Sequence, residues 1–128
     1  MRLLLDTHVL LWSVASSRRL SKAARALLED PENEVFYSPA SLWEIAIKSG
    51  LRRKDFSVDL EALHAALPES GLAELPIRAV HALALTRLPD VHRDPFDRML
   101  VAQALTEPLI LLTNDAILAR YPAPVRLI

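Results

Sequence analysis

Arg2-Leu3-Leu4-Leu5-Asp6-Thr7 carries the first decision about the fold. The apolar run is too short for a helix and shows no polar alternation. It therefore reads as a buried first strand that stops at an aspartate. Apolar runs of strand length recur at residues 35–37, 72–75, 109–112 and 125–128, each separated from the next by one or two helical patterns. Strands alternating with helices predict an α/β fold with a mostly parallel sheet covered on both faces.

Helix boundaries follow from capping chemistry. Ser38-Pro39 supplies an N-cap and a proline at the first helical position, and Gly50 lies where a stop would fall, so the spacing predicts a helix over residues 39–49 with Glu44 in its middle. Asp94-Pro95 repeats the signal and puts Asp97 in the first turn of the next such helix, ahead of the apolar residues 99–105. Residues 21–28 form a helix ended by Asp30-Pro31. Residues 60–67 and 77–87 have helical spacing, close near Pro68 and Pro89, and read as scaffold.

A chain of 128 residues with 52% hydrophobic content is expected to form one domain over residues 1–128. No apolar run approaches the roughly 18 to 20 residues of a membrane span, and the first apolar segment is too short for a signal peptide. With no cysteine there is neither a disulfide framework nor a thiolate metal site, which leaves oxygen and imidazole as metal ligands and a cytoplasmic location as the expectation.

Four acids stand at punctuation points of this pattern: Asp6, Glu44, Asp97 and Asp115. Ligands of open α/β sheets bind beyond the carboxyl ends of the strands, and both Asp6 and Asp115 follow a strand. If those strands are neighbours, right-handed crossovers bring the two carboxylates to one edge. Each also has a local reading as a helix cap. Glu44 lies among Leu42, Trp43, Ile45, Ala46 and Ile47, where an unpartnered carboxylate is costly to bury. It is either a ligand or one half of a surface pair with Lys48, and its apolar setting favours the ligand. Asp94 is explained as a cap, whereas Asp97 caps nothing and is the better ligand. Crowded carboxylates repel one another, so such a cluster points to a hard divalent cation.

Other side chains say less. Arg98 either meets a phosphate at the pocket or lies on the surface, the latter being the simpler reading. His8, His64, His81 and His92 show no metal-ligand spacing, and only His92 stands near enough to Asp94 to border the site. Trp12, Tyr37, Trp43 and Phe96 are too dispersed for a base-stacking platform and read as core. The net charge of −1 does not announce nucleic acid, but taking four metal-neutralised carboxylates out of it leaves +3. The basic clusters Arg18, Arg19, Lys22, Arg25 and Lys48, Arg52, Arg53, Lys54 then either track phosphates or form solvated helix faces.

Taken in order, Leu5-Asp6-Thr7, residues 38–45 with Trp43-Glu44, residues 93–104 with Asp94-Pro95-Phe96-Asp97, and Leu112-Thr113-Asn114-Asp115 resemble the PIN-domain ribonucleases, and more narrowly the VapC toxins of prokaryotic toxin–antitoxin pairs. The resemblance implies a three-layer α/β/α sandwich and an endoribonuclease using Mg²⁺ or Mn²⁺. It puts the family's metal-binding and catalytic acids on Asp6, Glu44, Asp97 and Asp115, with Thr7, Asp94, Thr113 and Asn114 supporting them. It further implies a homodimer and a cognate antitoxin. Single-stranded or looped RNA is the expected substrate, with Lys48, Arg52, Arg53, Lys54 and Arg98 as candidate RNA contacts.

Two other classes compete. An aspartyl-phosphate enzyme usually has a second aspartate two residues after the first, where this chain has His8, and a phospho-receiver needs an acidic pair and a late lysine that are not evident. A non-catalytic module of the same fold is disfavoured by the retention of all four acids.

Overall fold

The computed structural model describes residues 1–50 and 58–128. Its elements in chain order are β1 (Arg2–Leu5), α1 (Thr7–Val14), α2 (Lys22–Glu29), β2 (Glu34–Tyr37), α3 (Pro39–Gly50), α4 (Leu60–Glu69), β3 (Leu72–Glu74), α5 (Ala79–Leu85), α6 (Pro95–Thr106), β4 (Ile110–Thr113), a 3₁₀ turn (Ala116–Arg120) and β5 (Val125–Leu127). The strands form one sheet in the order β3-β2-β1-β4-β5, and every pairing is parallel.

Because side chains alternate across a strand, the run of leucines in β1 feeds both faces. Leu3 and Leu5 pack with Val9, Leu10, Ala24, Ile45, Leu63 and Leu67 from α1 to α4. Leu4 packs on the opposite side with Ala84 of α5 and Leu100, Val101 and Ala104 of α6. The result is the expected three-layer α/β/α sandwich, and the three leucines of its central strand are fully buried because a helical layer covers each face. Each such leucine contributes about 1.5–3 kcal/mol relative to exposure.

The local differences from expectation have physical causes. The helix expected to close before Pro68 runs on to Glu69, because a proline in the last turn forfeits little while the Ser70 N–H and Oγ both donate to the Ala66 carbonyl. The pattern over residues 77–87 yields a shorter helix, since Arg78 is extended and its N–H donates to Nδ1 of His81 at 2.9 Å. His81 is itself fully buried, with Nε2 2.7 Å from Glu107.

Strand order fixes where a ligand can bind. From β1 the chain moves to β2 and β3 on one side of the sheet, while β4 and β5 occupy the other. The carboxyl ends of β1 and β4 therefore flank the point where the order reverses.

Candidate metal centre

β1 and β4 pair with Leu5 opposite Leu112, so the next residues, Asp6 just past β1 and Thr113 at the end of β4, stand side by side at the sheet's edge. The Asp6 N–H continues the ladder to the Leu112 carbonyl at 3.0 Å. Its Oδ1 caps α1 by accepting from the Val9 N–H at 2.8 Å, and its Oδ2 accepts from the Thr113 hydroxyl. Thr113 Oγ1 in turn accepts from the Asp115 N–H at 3.0 Å. The cap reading of Asp6 is therefore satisfied together with a pocket position. Burial raises the Asp6 pKa, opposed by the Thr113 and Val9 hydrogen bonds and the nearby His8, with the Glu44 carboxylate adding to the rise.

Glu44 reaches the same place from the middle of α3 and is buried. Thr7 Oγ1 donates to its Oε1 at 2.7 Å and lies 3.0 Å from Ser41 Oγ. A hydroxyl has one proton and a carboxylate none, so Ser41 completes this chain as the donor to Thr7. Lys48 Nζ stands 2.5 Å from the other oxygen, Oε2. The two sequence readings of Glu44 thus coexist: it is paired with Lys48, and the pair lines the pocket instead of the outer surface.

α6 delivers the third acid. Asp94 Oδ1 accepts from the N–H groups of Phe96 and Asp97 at 2.9 and 3.0 Å, the N-cap expected of an Asp-Pro start. That cap orients Asp97 inward, with its Oδ2 3.0 Å from His92 Nε2. Burial pushes the Asp97 pKa up to about 7. The Asp94 and Glu44 carboxylates add to the rise, the His92 hydrogen bond opposes it, and Asp6 contributes the remainder.

Asp6, Thr7, His8, Glu44, Lys48, His92, Asp94, Asp97 and Asp115 line one cavity of about 210 Å³. Within it, one ligand atom from each of His92, Asp94 and Asp97 lies within 4.8 Å of the others. Asp115 stands at the rim, exposed, with Oδ1 accepting from the Ile117 N–H at 3.1 Å. Asn114 is exposed beside it. Oxygen donors with two raised pKa values suit a hard divalent cation, and the imidazole of His92 extends the set toward Mn²⁺.

Several expectations resolve differently. His92, treated as a border residue, is a wall of the cavity next to Asp97, placed by the Tyr121 hydroxyl, which bonds both the N–H and the carbonyl of His92. Arg98 does not turn into the cavity. Its guanidinium donates to the carbonyls of Leu85, Pro89 and His92 and to the Tyr121 hydroxyl at 3.1–3.4 Å. Arg52, Arg53 and Lys54 lie outside the described residues. Of the aromatic residues assigned to the core, Tyr37 is buried, Trp12 and Phe96 are half-buried, and Trp43 is 61% exposed, packed edge-on against Phe96 at 5.1 Å. No helix among the described residues is long and apolar enough to cross a membrane.

Comparison with known proteins agrees with this architecture. The sequence matches the model of the PIN domain family over residues 3–124. Similar solved structures include VapBC2 from Rickettsia felis bound to a DNA fragment from its promoter, with a TM-score of 0.73, 17% identity and 98% of each chain covered. DNA-bound VapBC from Salmonella typhimurium gives 0.69 and 16%, covering 98% of this chain and 97% of the other. VapBC-1 from nontypeable Haemophilus influenzae gives 0.60 and 18%, covering 90% and 87%. No curated protein matches the chain.

Proposed function

Since the chain belongs to the PIN domain family, we propose that it is a metal-dependent endoribonuclease, the toxin of a type II toxin–antitoxin pair acting in the cytoplasm. The observation that carries the reading is the convergence of Asp6, Glu44 and Asp97 on one cavity at the strand-order reversal, with burial first and neighbouring carboxylates second raising the pKa of Asp6 and Asp97. Groups arranged to disfavour their own charge want a cation.

Asp6, Glu44 and Asp97 would hold Mg²⁺ or Mn²⁺, with Asp115 completing the site at the rim and His92 and Asp94 at its α6 side. Such a cation, when bound, lowers the pKa of water and neutralises charge at phosphorus. Thr7 and Thr113 fix the rotamers of Glu44 and Asp6 through single hydrogen bonds to each carboxylate. Lys48 balances Glu44 and, among the described residues, presents the ammonium group that lines the cavity, where it would meet a phosphate oxygen of the RNA. No protein nucleophile is required.

The neighbours named VapBC support a small antitoxin as partner, whose basic side chains would enter the carboxylate cavity and exclude metal or RNA. Trp43 and Ile47, exposed one turn apart on α3, together with Phe96, offer an apolar surface for a homodimer. The test is incubation of the purified protein with single-stranded RNA, with Mg²⁺ or Mn²⁺ and with EDTA. Cleavage confined to the metal lanes and lost in Asp6→Asn and Asp97→Asn is expected, and undiminished cleavage in EDTA refutes the reading.

A further inference from the structure

Beside the carboxylate cavity runs a more open groove of about 420 Å³, lined by His8, Trp12, Arg19, Asn114 and Asp115. The two share His8 and Asp115 and form one continuous surface. His8 and Trp12 stand at i and i+4 on α1 and so face the same way, with ring centroids 6.1 Å apart and planes tilted by 44°. One side of Trp12 packs on the core and another lines the groove, so the indole is held in place while remaining accessible.

We propose that this groove is a nucleobase subsite, in which one base of a single-stranded RNA stacks on the Trp12 indole while the neighbouring phosphate lies over Asp6, Glu44 and Asp97. The proposal rests on the nuclease reading and extends it to substrate positioning. From Asp6 to Trp12 the helix rises about 9 Å, which places stacked base and reacting phosphate on the same or adjacent nucleotides. Arg19 supplies a cation for a flanking phosphate, and Asn114 offers an amide with both donor and acceptor to a base edge.

Lining chemistry favours a base over a protein side chain. Among the described residues the groove is lined by one large, mostly apolar side chain, Trp12, and by the polar or charged His8, Arg19, Asn114 and Asp115, whereas a protein anchor seeks a desolvated apolar pocket. An indole joined by guanidinium, amide and imidazole is the mixture that binds single strands, where stacking is tolerant of sequence because every base has a π-face. The volume also falls within the roughly 300–1,000 Å³ of small-molecule sites.

The chain has two tryptophans, so a ¹⁵N-labelled sample gives two indole N–H signals. Trp12→Phe assigns them, and Trp43 serves as internal control. Adenosine 5′-monophosphate, which has no phosphodiester to cleave, should shift the Trp12 signal to saturation and leave that of Trp43 in place. Ribose 5-phosphate, carrying the phosphate without the base, should move neither. In the cleavage assay, Trp12→Ala should raise KM for a single-stranded RNA about tenfold, with Trp12→Phe close to wild type. The exposed Asn114→Ala, which does not touch the core, should raise KM in the same direction if Trp12→Ala fails to fold.

A cleaving enzyme whose Trp12 signal ignores the nucleotide, or answers equally to ribose phosphate, overturns the subsite alone. Absence of any metal-dependent cleavage by the wild type overturns the nuclease reading. A Trp12 signal moved by the co-expressed antitoxin but not by the nucleotide assigns the groove to protein and overturns the proposal.

Discussion

Replacing Asp97 by asparagine should stabilise the metal-free protein at pH 8 while abolishing cleavage. Asp97 has its pKa pushed up from 3.8 to about 7 by burial and by the carboxylates of Asp94, Glu44 and Asp6. Between those two values the folded protein holds a proton that the unfolded chain releases. The stability associated with that proton is complete below about pH 4 and is lost as pH rises through about 7. At 1.36 kcal/mol per pH unit the interval sets a ceiling of about 4 kcal/mol. The side chain is partly exposed, so solvent screening reduces this to about 1–2 kcal/mol. Asparagine removes the charge, keeps an oxygen for His92 Nε2, and remains in the first turn of α6.

Urea denaturation in EDTA at pH 5 and pH 8 measures the effect. The variant should exceed the wild type by about 1–2 kcal/mol at pH 8 and by much less at pH 5. Adding Mn²⁺ at pH 8 should raise the wild type and leave the variant nearly unmoved, because only the wild type gains a ligand-bound folded state. An equal difference at both pH values, or a variant less stable than wild type at pH 8, would refute the electrostatic account of the cavity.

Arg98→Ala should lose about 2–3 kcal/mol of stability by thermal melting, since it strips the bonds to Leu85, Pro89, His92 and Tyr121, and should leave the salt dependence of RNA binding as it is. Asp94→Asn should retain the cap and most cleavage, whereas Asp94→Ala should cost about 1 kcal/mol of stability by urea titration. A dead Asp94→Asn beside an active Asp97→Asn would exchange their roles. If the proposed homodimer forms through α3, Trp43→Ser with Ile47→Ser, both at exposed positions, should give a monomer where the wild type gives a dimer in light scattering at micromolar concentration.

What the sequence revealed and concealed divides along the range of the forces involved. Asp6, Asp94 and Asp115 stand where a strand ends or a helix begins, and such boundaries are local signals that leave a mark within a few residues. The register of β1 against β4 then follows from topology, and with it the meeting of Asp6 and Thr113. α3 was harder, because Leu42, Trp43, Ile45 and Ile47 make it apolar nearly all round, and no periodicity could say that Trp43 faces solvent while Glu44 is buried. Nor could it say that Lys48 follows Glu44 into the cavity instead of neutralising it at the surface.

His92 shows most clearly where local reading ends. It belongs to no helix or strand, and its backbone is held at both N–H and carbonyl by the hydroxyl of Tyr121, 29 residues away, with Arg98 joining the same hydroxyl. That buried tyrosine, with Arg98 donating to the same carbonyl, holds the backbone from which the imidazole stands 3.0 Å from Asp97. Tyr121→Phe keeps the ring in the core and removes the clamp, so it should weaken Mn²⁺ binding more than Mg²⁺ binding, because imidazole suits the softer ion. Calorimetric titration of both metals measures the difference. Equal weakening would mean that His92 shapes the cavity without joining the ligand set.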